Sequence, residues 1–141
     1  MLRDTALDVA AILAYSLVGT VLMVVGYVLV DVLTPGRLGD LIWRERNRNA
    51  ALVVASGLLG TGLVVVVAIL TSEDELVRGL ITTVTAGLVG IALMGVAFVV
   101  VDALTPGDLG ETLCEREPHP AAWVTAAAHL AIAGIVAAAL S

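Results

Sequence analysis

Residues 17–39 read LVGTVLMVVGYVLVDVLTPGRLG, and residues 88–110 read LVGIALMGVAFVVVDALTPGDLG, so the chain returns to itself after 71 positions with 15 of 23 identical. In each copy an apolar run closes on an aspartate, Asp31 or Asp102, and continues into Leu-Thr-Pro-Gly. The run shows no period-two alternation, which excludes a half-buried strand and leaves a helix. Working outward, stretches 9–30, 50–70, 79–101 and 121–141 each lack Asp, Glu, Lys and Arg. At about 1.5 Å per residue, each is long enough for a hydrocarbon core of roughly 30 Å. Only helices and closed barrels satisfy their backbone in lipid, and four segments cannot close a barrel.

Composition agrees. The chain of 141 residues is 60% hydrophobic and 14% charged, with mean hydropathy +1.05, whereas a soluble domain is about half apolar and a quarter charged. The expected fold is all-α: a polytopic membrane protein with four transmembrane helices in one membrane domain. Residues 1–71 form a first two-helix repeat and 72–141 a second, each with a short interfacial helix after Thr-Pro-Gly. Because each unit crosses twice, the two enter the membrane in parallel, and a pseudo-twofold along the membrane normal is expected. The first span reads as retained. Its apolar run is too long for a signal peptide, Asp4 and Asp8 precede it, and no small-residue cleavage site ends it.

Orientation follows the arginines. Arg37, Arg44, Arg46, Arg48 and Arg116 fall in connections 34–49 and 105–120, against Arg3 and Arg78 on the other side. Both Thr-Pro-Gly connections are therefore expected in the cytoplasm, with both termini outside. On the outer side Ser72, with Glu75 three residues on, reads as a capping box opening the third span.

Net charge is −6 and no lysine is present, so no basic stripe exists for nucleic acid. A single cysteine, Cys114, excludes an intrachain disulfide and a multi-cysteine metal site. His119 and His129 are ten residues apart across an interface, no phosphate-binding glycine loop follows a strand, and no nucleophile has an evident base. Neither an enzyme nor a cofactor is expected; the partners expected are membrane lipids and further membrane chains, a second copy of this one included. Trp43 and Trp123 lie at span ends, suited to the headgroup layer.

Asp31 and Asp102 are the sharpest candidates. Each stands at the negative end of a helix dipole, where a cation is preferred. A local cause is available: Thr34 and Thr105 cap a short helix with Pro35 or Pro106 at its first position and Gly36 or Gly107 after it, and the aspartate accepts from that helix's free N–H groups. Two functional causes compete, a partner's arginine and an ion or proton shared by both carboxylates. Leu38, Leu41 and Ile42 make an apolar stripe, echoed by Leu109 and Leu113. With Arg37, Arg44, Arg46 and Arg48 around it, the first stripe suits anionic headgroups, or a cytoplasmic partner. His129 is the ionisable residue within a span, about 12 Å from its cytoplasmic end. Thr20 lies at similar depth and is a candidate partner for it. Small residues such as Ser56, Gly57, Gly60, Gly87 and Gly90 allow close helix approach.

The duplicated two-helix unit, the D-x-L-T-P-G-x-L-G segment and the Arg44-Glu45-Arg46-Asn47 run resemble a small bacterial inner-membrane family, number 350 among the domains of unknown function. The likeness covers nearly the whole chain; the second copy departs from it after Gly110, with Cys114-Glu115-Arg116-Glu117-Pro118. The resemblance implies plasma-membrane location and, in some genomes, neighbours linked to envelope stress. Two readings of function follow: a non-enzymatic oligomeric component supporting the envelope, or a small cation or proton channel or carrier with its path near Asp31 and Asp102.

The orientation is testable with single cysteines. In a Cys114→Ala background, Ser72→Cys is expected to react with an impermeant thiol reagent in intact cells, and Arg46→Cys only after permeabilisation. Reaction of Arg46→Cys in intact cells overturns the assignment.

Overall fold

The computed structural model describes residues 2–33, 37–72, 75–104, 115 and 117–141, without the side chains of residues 2–4 and 102. Its helices are α1 (Leu2–Leu33), α2 (Leu38–Trp43), α3 (Arg48–Leu70), α4 (Leu76–Leu104) and α5 (Pro120–Leu140). Four of them, α1, α3, α4 and α5, are long and apolar enough to cross a membrane, and the described residues contain no strand. The chain is an all-helical membrane protein. At 32 and 29 residues, α1 and α4 run to about 48 and 44 Å, beyond the hydrocarbon core at one end or both.

The helix ends follow local chemistry. Asn47 caps α3, its side chain accepting from the Ala50 N–H at 3.1 Å. His119 caps α5 in the same way, taking the Ala121 N–H on Nδ1 at 3.1 Å. Pro120 follows at the first helical position, where the missing N–H costs no bond. At the far end of α3, the Ser72 hydroxyl donates to the Ile69 carbonyl at 2.7 Å. That single proton being spent, Tyr15 must be the donor in the 3.1 Å contact between the two hydroxyls. Ser72 thus closes α3 and ties it to α1, in place of the expected role opening α4. Glu75 pairs instead with Arg78 at 3.2 Å on the exposed first turn of α4.

The short helix starts at Leu38, three residues later than a start at Pro35, with Arg37 in the N-cap position and no side-chain cap from it. Its stripe is not spent on lipid. Leu38 and Leu41 are buried with Ala50 and Val54, against Tyr27, Val30, Ile42 and Leu58, so α2 is a wedge between α1 and α3. Beyond it, Arg46 takes a positive φ of 54°, and the Asn47 N–H returns to the Leu41 carbonyl at 2.9 Å. The corresponding helix expected in the second unit, with Leu109 and Leu113, falls outside the described residues.

Four-way contact is made near the connection end, where Val53, Phe98 and Ala122 are buried with Val30 and Leu33 against them. Further along, Val64, Met94, Ala133 and Val136 join α3, α4 and α5, while Leu22, Val65 and Ile91 join α1, α3 and α4. The α3–α5 contact is the most extensive. Every substantial contact of α1 is with α3 or α4. A strict twofold would match the α3–α4 contact with one between α1 and α5, and no contact of that extent exists among the described residues. The bundle is therefore two triangles sharing the α3–α4 edge, with α1 and α5 on opposite flanks.

That shared edge depends on Gly90. A Cβ there would stand 2.6 Å from Val64 Cγ1 and 3.3 Å from Val136 Cγ1, and a β-branched neighbour has little freedom to turn away. Gly90→Ala is expected to lower stability by about 1–3 kcal/mol through overpacking, more than the roughly 1 kcal/mol of helix propensity it gains. Gly134→Ala, with nothing within 4 Å of the new methyl, is expected to raise it by about 0.5–1 kcal/mol. Thermal unfolding in detergent measures both; shifts of the same sign would contradict the close α3–α4 approach.

Candidate functional site

Polar side chains gather at three places, two of them at the connection end. The first is built on Asp31. One carboxylate oxygen, Oδ1, accepts from the Leu38 N–H at 2.7 Å, a short charge-assisted bond that ties the end of α1 to the first residue of α2. Around it Tyr27, Arg37, Gly39, Asp40 and Arg44 line an open, mostly polar groove of about 390 Å³. Arg44 pairs with Asp40 at 3.2 Å, one turn apart on α2. Arg37 makes no ion pair with a described residue. Arg37, Arg44, Arg46 and Arg48 are all exposed.

The second place is a clamp between the two connections. Asn49, buried at the start of α3, donates from Nδ2 to the carbonyls of Glu115 at 3.1 Å and Glu117 at 2.8 Å. Its Oδ1 accepts from the His119 N–H at 3.0 Å. Asn47 adds a bond from its own Nδ2 to the Glu115 carbonyl at 3.1 Å. The second connection suits this role because Pro118 and Pro120 have no N–H, which leaves the His119 N–H as the donor between them. Two amide side chains therefore hold a strand of irregular backbone that a helix or sheet would otherwise have to satisfy.

The third place lies inside the bundle. His129 Nδ1 is 3.2 Å from the Ser56 hydroxyl, which itself donates to the Val53 carbonyl at 2.8 Å. Serine has one proton, so Nδ1 carries the hydrogen in the bond between them. Phe98 lies against the imidazole with ring centres 5.8 Å apart. Beside it Gly26, Gly57, Gly95, Thr61 and Met94 help to line a cavity of about 20 Å³, room for roughly one water. Thr61 returns its hydroxyl to the Gly57 carbonyl at 2.9 Å.

Thr20, expected near His129, is exposed and bonds back to the Ser16 carbonyl of its own helix at 2.8 Å. Depth was matched but rotation about α1 was not, and Ser56 takes its place. Asp102 lies in α4 with its side chain outside the description, and Thr34, Pro35, Gly36, Thr105, Pro106 and Gly107 lie outside the described residues. Asn49 and the bonding role of Ser56 escaped the sequence reading. A signal existed for each: an asparagine just ahead of an apolar run, and a serine as far from the connection end as His129. Among the described residues no cluster of three metal-binding side chains occurs.

The chain matches the family described as Domain of Unknown Function (DUF350) over residues 4–140. It is 38% identical to a UPF0719 transmembrane protein of Mycolicibacterium paratuberculosis, over 93% of this chain and 87% of the relative. It is 40% identical to UPF0719 transmembrane proteins of Mycobacterium bovis and Mycobacterium tuberculosis, over 94% of this chain and 88% of each relative. No solved structure is a significant match.

The clamp sets a clear expectation. Asn49→Ala removes three bonds and leaves their backbone partners unsatisfied, at about 1–3 kcal/mol for a buried group left without a partner. Asn49→Asp is nearly isosteric, yet a carboxylate cannot donate to the Glu115 and Glu117 carbonyls and sets negative charge against them. The aspartate variant is expected to be at least as unstable as the alanine variant in detergent melts. An aspartate variant near wild type would refute the clamp.

Proposed function

Because this chain belongs to the DUF350 family of transmembrane proteins, we propose that it is a non-enzymatic membrane component that oligomerises and supports the cell envelope. The observation that carries this reading is the use made of polar groups within the spans. His129, Ser56, Thr61, Thr85 and Thr125 each bond within the chain, the threonines to carbonyls of their own helix. Among the described residues, Thr83 Oγ1, wholly buried on α4, is the one buried side-chain polar atom without a partner. Interior space beside His129 amounts to about 20 Å³, far less than a hydrated ion path requires. Such an interior suits packing, not turnover or passage.

Oligomerisation draws support from the opposite flank. Between α3 and α5 a lipid-facing groove of about 250 Å³ is lined by small residues, Ala55, Ala126 and Ala127, with Leu59, Trp123 and Leu130 around them. In lipid, helices associate through such small-residue faces. Asp31 fits the same reading as an anchor for α2, its carboxylate bonded to Leu38.

Reconstituted protein is expected to give cation and proton flux no higher than empty liposomes. Crosslinking in membranes is expected to yield discrete oligomers, and loss of the gene to sensitise cells to detergent and wall-active agents. Asp31→Asn keeps an acceptor for Leu38 and is expected to be mild, whereas Asp31→Ala is expected to cost about 0.5–2 kcal/mol, the loss of a helix cap. Flux abolished by Asp31→Asn, with stability unchanged, would replace this reading by the channel or carrier.

A further inference from the structure

His129 meets Ser56 through only one of its two ring nitrogens. Nδ1 carries the hydrogen of that bond, so Nε2, at the tip of the ring, keeps a lone pair and is an acceptor. Among the described residues no group donates to it. Nor is it sealed in. Thr83 Oγ1 is the one described unpartnered side-chain atom closed off from every surface, so Nε2 retains some open surface. On a residue only 2% exposed, that surface is the wall of the cavity His129 lines.

A cavity lined by hydrocarbon alone stays dry, whereas one with polar atoms on its wall holds water if there is room. Here Gly26, Gly57 and Gly95 open space on α1, α3 and α4 together. Thr61 Oγ1, its proton spent on the Gly57 carbonyl, is a second acceptor on the same wall. An acceptor left facing hydrocarbon forfeits a hydrogen bond that water would have given it. Two acceptors and no free donor call for a ligand that brings two hydrogens, and about 20 Å³ fits one water and nothing larger. No carboxylate lines the cavity, so a bare cation would lie there without a counter-charge. Leu29, Leu33 and Gly95 also line an open apolar groove of about 440 Å³ on the α1–α4 flank. Lipid chains can fill that outer groove, but hydrocarbon has no hydrogen to give Nε2.

We infer that a single water molecule is bound at the centre of the bundle, donating one hydrogen to His129 Nε2 and the other to Thr61 Oγ1. It ties α5 to α3 where α1 and α4 close around them, and Leu29 and Leu33 stand between it and lipid. The imidazole is then bonded at both nitrogens, Nδ1 as donor and Nε2 as acceptor, which fixes one tautomer. The site does not depend on whether the chain oligomerises.

Magnetic resonance of the full-length protein in lipid nanodiscs, with isotope-labelled histidine, tests this. A His129→Leu sample separates the His129 signals from those of His119, which is exposed at the start of α5. The wild type is expected to show a proton on Nδ1, a bare but hydrogen-bonded Nε2, and magnetisation passing from a water proton to the His129 ring. Gly57→Ala places a methyl in ordinary contact with Val30 and His129, 3.4 and 3.8 Å away, and takes up cavity space without a clash. It is expected to abolish the water contact and move the Nε2 resonance to that of a free acceptor. Thr61→Val removes one acceptor at similar volume and is expected to weaken the contact. Gly134→Ala, whose methyl meets nothing within 4 Å, is expected to leave it intact. No water contact in the wild type, a contact at full strength in Gly57→Ala or Thr61→Val, or a proton found on Nε2 would each overturn the proposal.

Discussion

A bilayer core offers a polar group no water, so every N–H, carbonyl and hydroxyl inside it must find its partner in the protein. Within the spans the helices satisfy the backbone, and the described buried side chains, Thr83 excepted, obey the same constraint. Threonines fold back on the carbonyl four residues earlier, as at Thr61 and Thr125. The one imidazole within the spans is held by a serine that is itself already bonded. At the connection end, where the backbone leaves helical geometry, the constraint falls on Asn47 and Asn49. Their side chains supply to the second connection the bonds that regular structure would have supplied.

The spans were legible because lipid imposes a simple grammar of length and absent charge. All four emerge within a few residues of the charge-free runs, extended where polar residues such as Arg48 or Asp102 are compatible with a helical turn. Sequence periodicity also identified the stripe of α2, but not its destination: Leu38 and Leu41 turn inward onto Ala50 and Val54, which pattern alone cannot distinguish from burial in lipid. Ser72 illustrates a related ambiguity. A serine between two helices can end one or begin the next, and local sequence carries both possibilities until Tyr15 approaches from α1.

What sequence could not supply was rotation about each helix axis and the meeting of distant loops. Depth along the membrane can be counted, and it placed His129 at the level of Thr20. Which side of α1 Thr20 occupies depends on packing, and packing turned it outward. The asparagine clamp joins positions 66 to 70 residues apart, so no local window contains it. The same holds for the groove at Asp31, which needs α2 folded under α1 before its charges face one another.

The clamp also orders events during synthesis. Its acceptors are backbone atoms of the second connection, reached only after α4 has crossed the membrane, and they become fixed when α5 begins. The segment from α1 to α3, with α2 wedged beneath, can pack as soon as it is inserted, while Asn49 waits with its amide unpaired. The clamp is therefore a latch that can close only once residues 115–119 are in place. The break between Leu70 and Leu76 is the natural seam of the molecule: two fragments made separately and divided there would carry the two sides of that latch on different chains.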